Sequence, residues 1–217
     1  LNRLRLREHL YPEDGATGPQ QRTGDFVPRT RRRILGEYLV LAAQAGDRAA
    51  FGRLAGLWQA PLRRHATRLT GDVEGAHDVV QGAWLDIVRG LGGLQRSEAF
   101  AAWAHRIVTR KCAAWIKTRQ RERRLAEELD AEPWPEAPPD AADGLERGQE
   151  TRRVQAVIAG LPAAQRSAVA LFYQEEMSVA EIAIALDIPP GTVKTRLMHA
   201  RRKIRDTLEM DEEGRSS

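Results

Sequence analysis

The chain has 217 residues and carries 34 Lys plus Arg against 30 Asp plus Glu, a formal charge of only +4, so net charge alone selects no class of partner. A single cysteine, Cys112, excludes a disulfide framework and a Cys-rich zinc site. No apolar run approaches the ~18 residues of a membrane span, and the first residues lack a signal-peptide core, which points to a cytoplasmic protein. Strand signals are nearly absent while Ala, Leu, Arg and Glu dominate, so the expected fold is all-α. The charges are sorted along the chain: basic residues crowd Arg29–Arg33, Arg106–Arg124 and Lys194–Arg205, and acids crowd Glu127–Glu146. Separate basic zones with an acidic spacer suggest nucleic-acid contact at more than one place.

Residues 1–34 are polar, with Gly, Pro and Gln around Pro12–Pro28, and read as a flexible basic arm. The first residue is Leu and not Met, which implies trimming, renumbering or an unusual start codon. Arg29 and Arg31–Arg33 read as a solvated basic run, with a phosphate-contacting arm as the alternative. Helical spacing then holds from Ile34 to about Leu125, giving a first module over residues 35–125. Its first helix is expected from about Gly36 to Ala45 and ends at Gly46-Asp47. A second helix passes through Phe51, Leu54 and Leu57 to Leu69, and Thr70-Gly71-Asp72 is a stop followed by a start.

In the third helix, Ala76, Val79, Val80, Ala83 and Ile87 form a buried arc, while Asp78, Gln81, Gly82 and Arg89 form the outer arc with Leu85 in its middle. Such a Leu is either a stray surface residue or an apolar anchor with a polar rim, and the pattern leaves both open. A loop, Gly90–Ser97, leads to a long helix in which Phe100, Trp103, Ala104, Ile107, Val108, Ala114 and Trp115 face the core. Arg106, Arg110, Lys117, Arg121 and Arg124 share another face, a stripe able to track a phosphate backbone. Cys112 has no metal-spaced partner and reads as structural.

Residues 126–150 hold Pro133, Pro135, Pro138 and Pro139 among acids and should form an extended linker. A second module, residues 151–212, begins with VQAVIAGL, is stopped by Gly160-Leu161-Pro162, and resumes with AAQRSAVALFYQEEM. Ser178 followed by Glu181 is a capping box, and Ile182, Ala183 and Leu186 recur at helical spacing. Asp187-Ile188-Pro189-Pro190-Gly191 breaks the run. In the last helix Val193, Leu197, Ala200, Ile204 and Leu208 make a core stripe, opposite Thr192, Thr195, Arg196, His199, Arg202 and Lys203, with Lys194, Arg201 and Arg205 on the margins. Two helices, a tight turn and one-sided donors are what insertion into a major groove requires.

Leu161-Pro162, Ser178 with Glu181-Ile182-Ala183, and GTVKTRL followed by Ala200-Arg201 resemble the −35 module of bacterial RNA polymerase sigma factors of the extracytoplasmic-function (ECF) group. Gly46-Asp47, Ala50-Phe51, AHDVVQGAW and Trp103 with Arg106-Ile107 are similar to that family's first module, so the likeness spans roughly residues 35–210. It implies that Asp78, Gln81 and Leu85 dock on a coiled-coil arm of the polymerase largest subunit, which favours the interface reading of Leu85. It also implies that the loop Gly92, Gly93, Leu94, Gln95, Arg96 and Ser97 captures an unstacked −10 base, with Arg106, Arg110, Lys117 and Arg121 alongside. Thr192, Lys194, Thr195, Arg196 and His199 would face the −35 duplex, with Arg201, Arg202 and Lys203 toward phosphate. The implied partners are promoter DNA and core polymerase, including the −35-side flap of the second-largest subunit. Whether an anti-sigma protein masks the modules is left open, and no cofactor or small-molecule substrate is implied.

His77 and Gly82 depart from the acids usual in the docking helix, and Lys111 and Ala114 replace a common Asn and Asp, so the −10 preference is not transferable. A conventional helix-turn-helix regulator would need a sensor pocket or a dimer seam, and none is visible. An enzyme is disfavoured because His9, His65, His77, His105 and His199 are scattered without ligand spacing and no phosphate loop is present.

Overall fold

The computed structural model describes residues 31–128, 154 and 156–213, with the side chains of 126–128 and 208–213 left aside. All regular structure among these residues is helical. Helix α1 spans Arg31–Gln44, α2 Arg48–Thr70 and α3 Val73–Gly90. Single 3-10 turns at Leu91–Gly93 and Ser97–Ala99 lead into α4, Phe100–Glu128. The second half contributes α5 (Ala163–Tyr173), α6 (Val179–Leu186) and α7 (Pro190–Glu213).

Local chemistry sets the boundaries. Gly46 at φ 97° and Gly71 at φ 72° occupy left-handed conformations that release the chain from α1 and α2. Asp47 then accepts from the Ala50 amide at 2.9 Å and Asp72 from the Gly75 amide at 2.7 Å, each satisfying an orphan donor of the next helix. Leu39, Val40, Leu54, Trp58, Leu62, Val80, Ile87, Phe100, Ala104 and Val108 fill the core of the first half. The arc expected on α3 is buried as read: Ala76, Val79, Val80, Ala83 and Ile87 are all interior. Gly75 completes it, because a Cβ there would stand 2.2 Å from the Trp115 ring, and only a bare backbone lets α3 and α4 approach so closely.

Several expectations are corrected. Helix α1 starts at Arg31, not Gly36, so the last residues assigned to the arm are helical. Arg33, expected in solvent, is buried, because its guanidinium finds the Glu181 carboxylate and the Glu176 carbonyl in the second half. Ala114 is exposed, and the small residues Ala101 and Ala102 are interior, where α4 meets its neighbours closely. Helix α5 stops at Tyr173; Glu176 at φ 52° turns the chain and drives Met177 into the core. His65 and His105, far apart in sequence, meet edge to face in the interior with ring centroids 5.0 Å apart. The linker beyond Glu128 and the arm before Arg31 lie outside the described residues.

The two halves pack against each other. Arg33 pairs with Glu181 and also donates to the Glu176 carbonyl at 3.0 Å. Arg32 meets the buried Glu175 at 2.5 Å, and Arg64 reaches the same carboxylate at 3.5 Å. Arg68 donates to the Gln174 side chain at 2.7 Å. On α4, the Thr109 hydroxyl donates to the Ala185 carbonyl at 2.7 Å. That spends its proton, so in the 2.9 Å contact with His65 it is the ring Nε2–H that donates. A relay therefore runs from a core histidine of one half to the backbone of α6 in the other.

Candidate nucleic-acid interface

The helix-turn-helix is built from its first residue. The Ser178 hydroxyl oxygen accepts from the Glu181 amide at 3.2 Å, and a Glu181 carboxylate oxygen accepts from the Ser178 amide at 2.9 Å. Burial raises the Glu181 pKa, but the hydrogen bonds from Arg33 and Ser178 outweigh it and hold the carboxyl below its usual value. Helix α6 ends at Asp187, which takes a left-handed conformation (φ 56°, ψ 46°) that Asp tolerates better than bulkier residues. Pro190 opens α7 at a position where a missing N–H costs nothing.

Helix α7 buries Val193, Leu197, Ala200 and Ile204; the Leu208 side chain is outside the description. Lys194, Thr195, His199, Arg202 and Lys203 are exposed, and Thr192 and Arg196 are half-buried at the margin. The Thr195 hydroxyl donates to Gly191 O at 3.0 Å, Arg202 lies 3.8 Å from Asp206, and Lys203 donates to Gly160 O at 3.4 Å. Arg201 differs from the other cations. Its guanidinium stacks 5.3 Å from the Phe172 ring centre and donates to the Tyr173 hydroxyl at 3.2 Å, so it braces α7 against α5. Its position directly after the buried Ala200 carries it to the aromatic side of the helix.

On α3, Asp78 and Gln81 are exposed and Leu85 keeps 59% of its surface in solvent. Val88, one turn further and 54% exposed, extends the apolar spot, a residue that sequence reasoning missed although it stands three positions after Leu85. The two departures Gly82 and Lys111 meet in space. The Lys111 chain crosses the gap left by Gly82, and its ammonium pairs with Asp86 at 2.9 Å.

In the loop before α4, Gly92, Gly93, Gln95 and Arg96 are exposed while Leu94 and Ser97 are half-buried. The Gln44 amide donates to the carbonyls of Leu91 and Leu94, both at 2.8 Å, and fixes the loop from α1. Arg96 pairs with Glu98 at 2.9 Å. The basic face of α4 is divided. Lys117 and Arg121 are exposed, whereas Arg106 and Arg110 turn to Asp187 at 2.8 and 3.2 Å. Trp103 and Trp115 are half-buried against the core, and Arg119 lies 5.4 Å over the Trp115 ring.

The remaining chemistry is quiet. Burial pushes the Cys112 thiol up to about 12, which removes it as a nucleophile at neutral pH. Among the described residues no three His, Cys, Asp or Glu side chains group to hold a metal ion, and no helix is long and apolar enough to cross a membrane.

Two helical modules, one ending in a capped helix-turn-helix with a cationic outer face, define a DNA-binding protein of the sigma-70 type. Residues 54–122 match Sigma-70 region 2 and residues 151–204 match Sigma-70, region 4. The chain is 33% identical over 166 residues to the ECF RNA polymerase sigma factor SigM of Mycobacterium tuberculosis, covering 76% of this chain and 81% of that protein. It is 27% identical to the ECF RNA polymerase sigma factor SigW of Bacillus subtilis, covering 75% of this chain and 91% of SigW. The chain belongs to the ECF group of RNA polymerase sigma factors. Solved structures share the fold: the sigma factor RpoE in complex with the anti-sigma factor NepR from Bartonella quintana (TM-score 0.60, 22% identity, 74% of this chain and 98% of that one). CnrH in complex with the cytosolic domain of CnrY gives a TM-score of 0.54 at 24% identity, over 82% of this chain and 99% of that one.

Proposed function

We propose that this sigma factor uses Asp78, Gln81, Leu85 and the adjoining Val88 to dock on core polymerase, and α7 to read the −35 duplex. The loop Gly92–Ser97 and the basic face of α4 take the melted −10 strand. The observation that carries this reading is the two-sidedness of α7: four buried apolar residues fix it to the module, and Lys194, Thr195, His199, Arg202 and Lys203 stand outward. Short polar side chains allow approach to base edges and long cations reach phosphate. The loop supplies side-chain-free backbone at Gly92 and Gly93 with open space around both, room for an unstacked base.

The chain acts in the cytoplasm without a catalytic centre of its own, as a dissociable subunit that aligns the polymerase by two DNA contacts. Region 2 corresponds to residues 35–125 and region 4 to residues 151–212, joined by the acidic segment 126–150. An anti-sigma protein is a fitting antagonist: the similar RpoE was captured with the anti-sigma factor NepR, and CnrH with the cytosolic domain of CnrY.

The test is run-off transcription with purified core polymerase, with and without this chain, on fragmented genomic DNA of its host. Discrete, factor-dependent start sites support the assignment and report both promoter elements. Tight binding of the chain alone to duplex DNA, with no start sites, would replace it with a conventional regulator.

A further inference from the structure

The helix-turn-helix is held at both ends of α6 by cations of the first module. At its N-terminal end the buried Arg33 engages Glu181, the same carboxylate that closes the capping box. At its C-terminal end Asp187 sits between Arg106 and Arg110, one helical turn apart on α4, giving one carboxylate oxygen to each guanidinium at 2.8 and 3.2 Å. Between those two arginines Thr109 donates to Ala185 O, so three residues of a single α4 face close on the last turn of α6. The partial negative charge of that helix end adds to the attraction.

Arg106 and Arg110 belong to the stripe assigned above to the −10 strand, and this inference rests on that assignment. Two guanidiniums spanning two oxygens of one anion is also how arginines hold a phosphate. We propose that Asp187 is a built-in phosphate mimic: in the free chain it occupies the Arg106–Arg110 pair and latches region 4 over the −10-facing helix, so that DNA and the turn compete for the same two cations.

The two ends of the latch differ in strength for a physical reason. Arg33 is buried at 7% exposure, so its pairing is poorly screened, whereas Asp187, Arg106 and Arg110 keep 42%, 39% and 61% of their side chains in solvent. Exposed pairs contribute little individually and weaken with salt. Asp187 is therefore the end that yields first to a polyanion, while the Arg33 end holds more firmly, so that weakening either end raises the open fraction. Because the latched form withholds the site, the apparent DNA affinity of the free chain is reduced by the open fraction, and any change that opens the latch raises it by the same factor.

Two substitutions test this in the full chain. Asp187→Asn keeps a residue that accepts the left-handed turn and removes the charge. Glu181→Gln keeps a capping-box side chain, removes the charge facing Arg33, and lies away from the proposed DNA-facing groups. Small-angle X-ray scattering reads module separation, and fluorescence anisotropy reads binding of a short single-stranded deoxyoligonucleotide of mixed sequence, without polymerase, at low and high salt. Both variants should expand the particle and tighten oligonucleotide binding several-fold, with the difference from wild type shrinking at high salt for Asp187→Asn and persisting for Glu181→Gln. Asp47→Asn removes an acid elsewhere while retaining a helix cap, and should change neither. Scattering and affinity of Asp187→Asn equal to wild type, or a gain matched by Asp47→Asn, overturn the latch. Run-off transcription is the separate arm: failure of wild type and variants alike to initiate with core polymerase would sink the −10 assignment on which the latch depends. Initiation with unchanged scattering and affinity in both variants would sink the latch alone.

Discussion

His105 makes the first module acid-sensitive in a way that can be worked from its surroundings. The ring is fully buried, with its centroid 6.1 Å from that of Trp58 and 5.0 Å from that of His65. Nδ1 lies 2.8 Å from the Ala101 carbonyl, so it carries the proton and donates, while Nε2 is buried with no partner. Loss of hydration lowers the pKa from 6.5 to about 4; Glu175 opposes the shift, and Arg68 and Arg32 reinforce it. The folded ring is therefore neutral at pH 5, whereas the ring of the unfolded chain is protonated. Since the unfolded state binds the extra proton, stability is full above pH 6.5 and falls as pH drops toward 4. The shift from 6.5 to about 4 corresponds to about 3 kcal/mol over the whole titration, of which about 2 kcal/mol is lost by pH 5. His65, also driven well below 6.5 by burial and by His105, adds loss of the same sign.

Urea denaturation followed by tryptophan fluorescence at pH 7.5 and pH 5 measures this, with His105→Leu as the comparison. Wild type should lose about 2 kcal/mol more than the variant between the two values, a difference of roughly 1 M in the urea midpoint. Parallel losses in the two proteins would refute the assignment of the acid sensitivity to His105.

Gln81→Ala with Leu85→Ala should abolish polymerase binding while the full chain keeps its helical content, read by co-migration with core polymerase and by circular dichroism. Unchanged affinity would remove these residues from the docking face. Arg196→Ala is expected to weaken −35 duplex binding by about 1–3 kcal/mol if the side chain reads a base. An equal loss on every sequence would make it a phosphate contact. Ser178→Ala should lower the unfolding free energy of region 4 by about 1 kcal/mol, since it removes the cap on the Glu181 amide. A midpoint unmoved within error would mean that the Arg33 contacts alone hold that helix end.

Sequence by itself determined whatever repeats within a few residues. The buried arc of α3, the core stripe of α7, the capping box at Ser178 and the stop at Gly71-Asp72 are local, because helical period and capping depend on neighbours three or four positions apart. The outward donors of α7 followed from the same periodicity, and so did the exposed Leu85 amid Asp78 and Gln81. Where the local pattern failed, a distant partner intervened. Arg33 looks like any surface arginine until Glu181, 148 residues away, gives it a reason to be buried. Arg106 and Arg110 read as a free phosphate-tracking stripe, yet only the packing of α6 on α4 brings Asp187 between them. Arg201 carries the same charge as Arg202 but is drawn to the rings of Phe172 and Tyr173. His65 and His105 have no metal-like spacing and still meet edge to face, because α2 and α4 pack together there. A charged or aromatic side chain has the same local signature whether it meets water or a partner, so tertiary structure alone decided which of the cations that read as outward hold the two modules together.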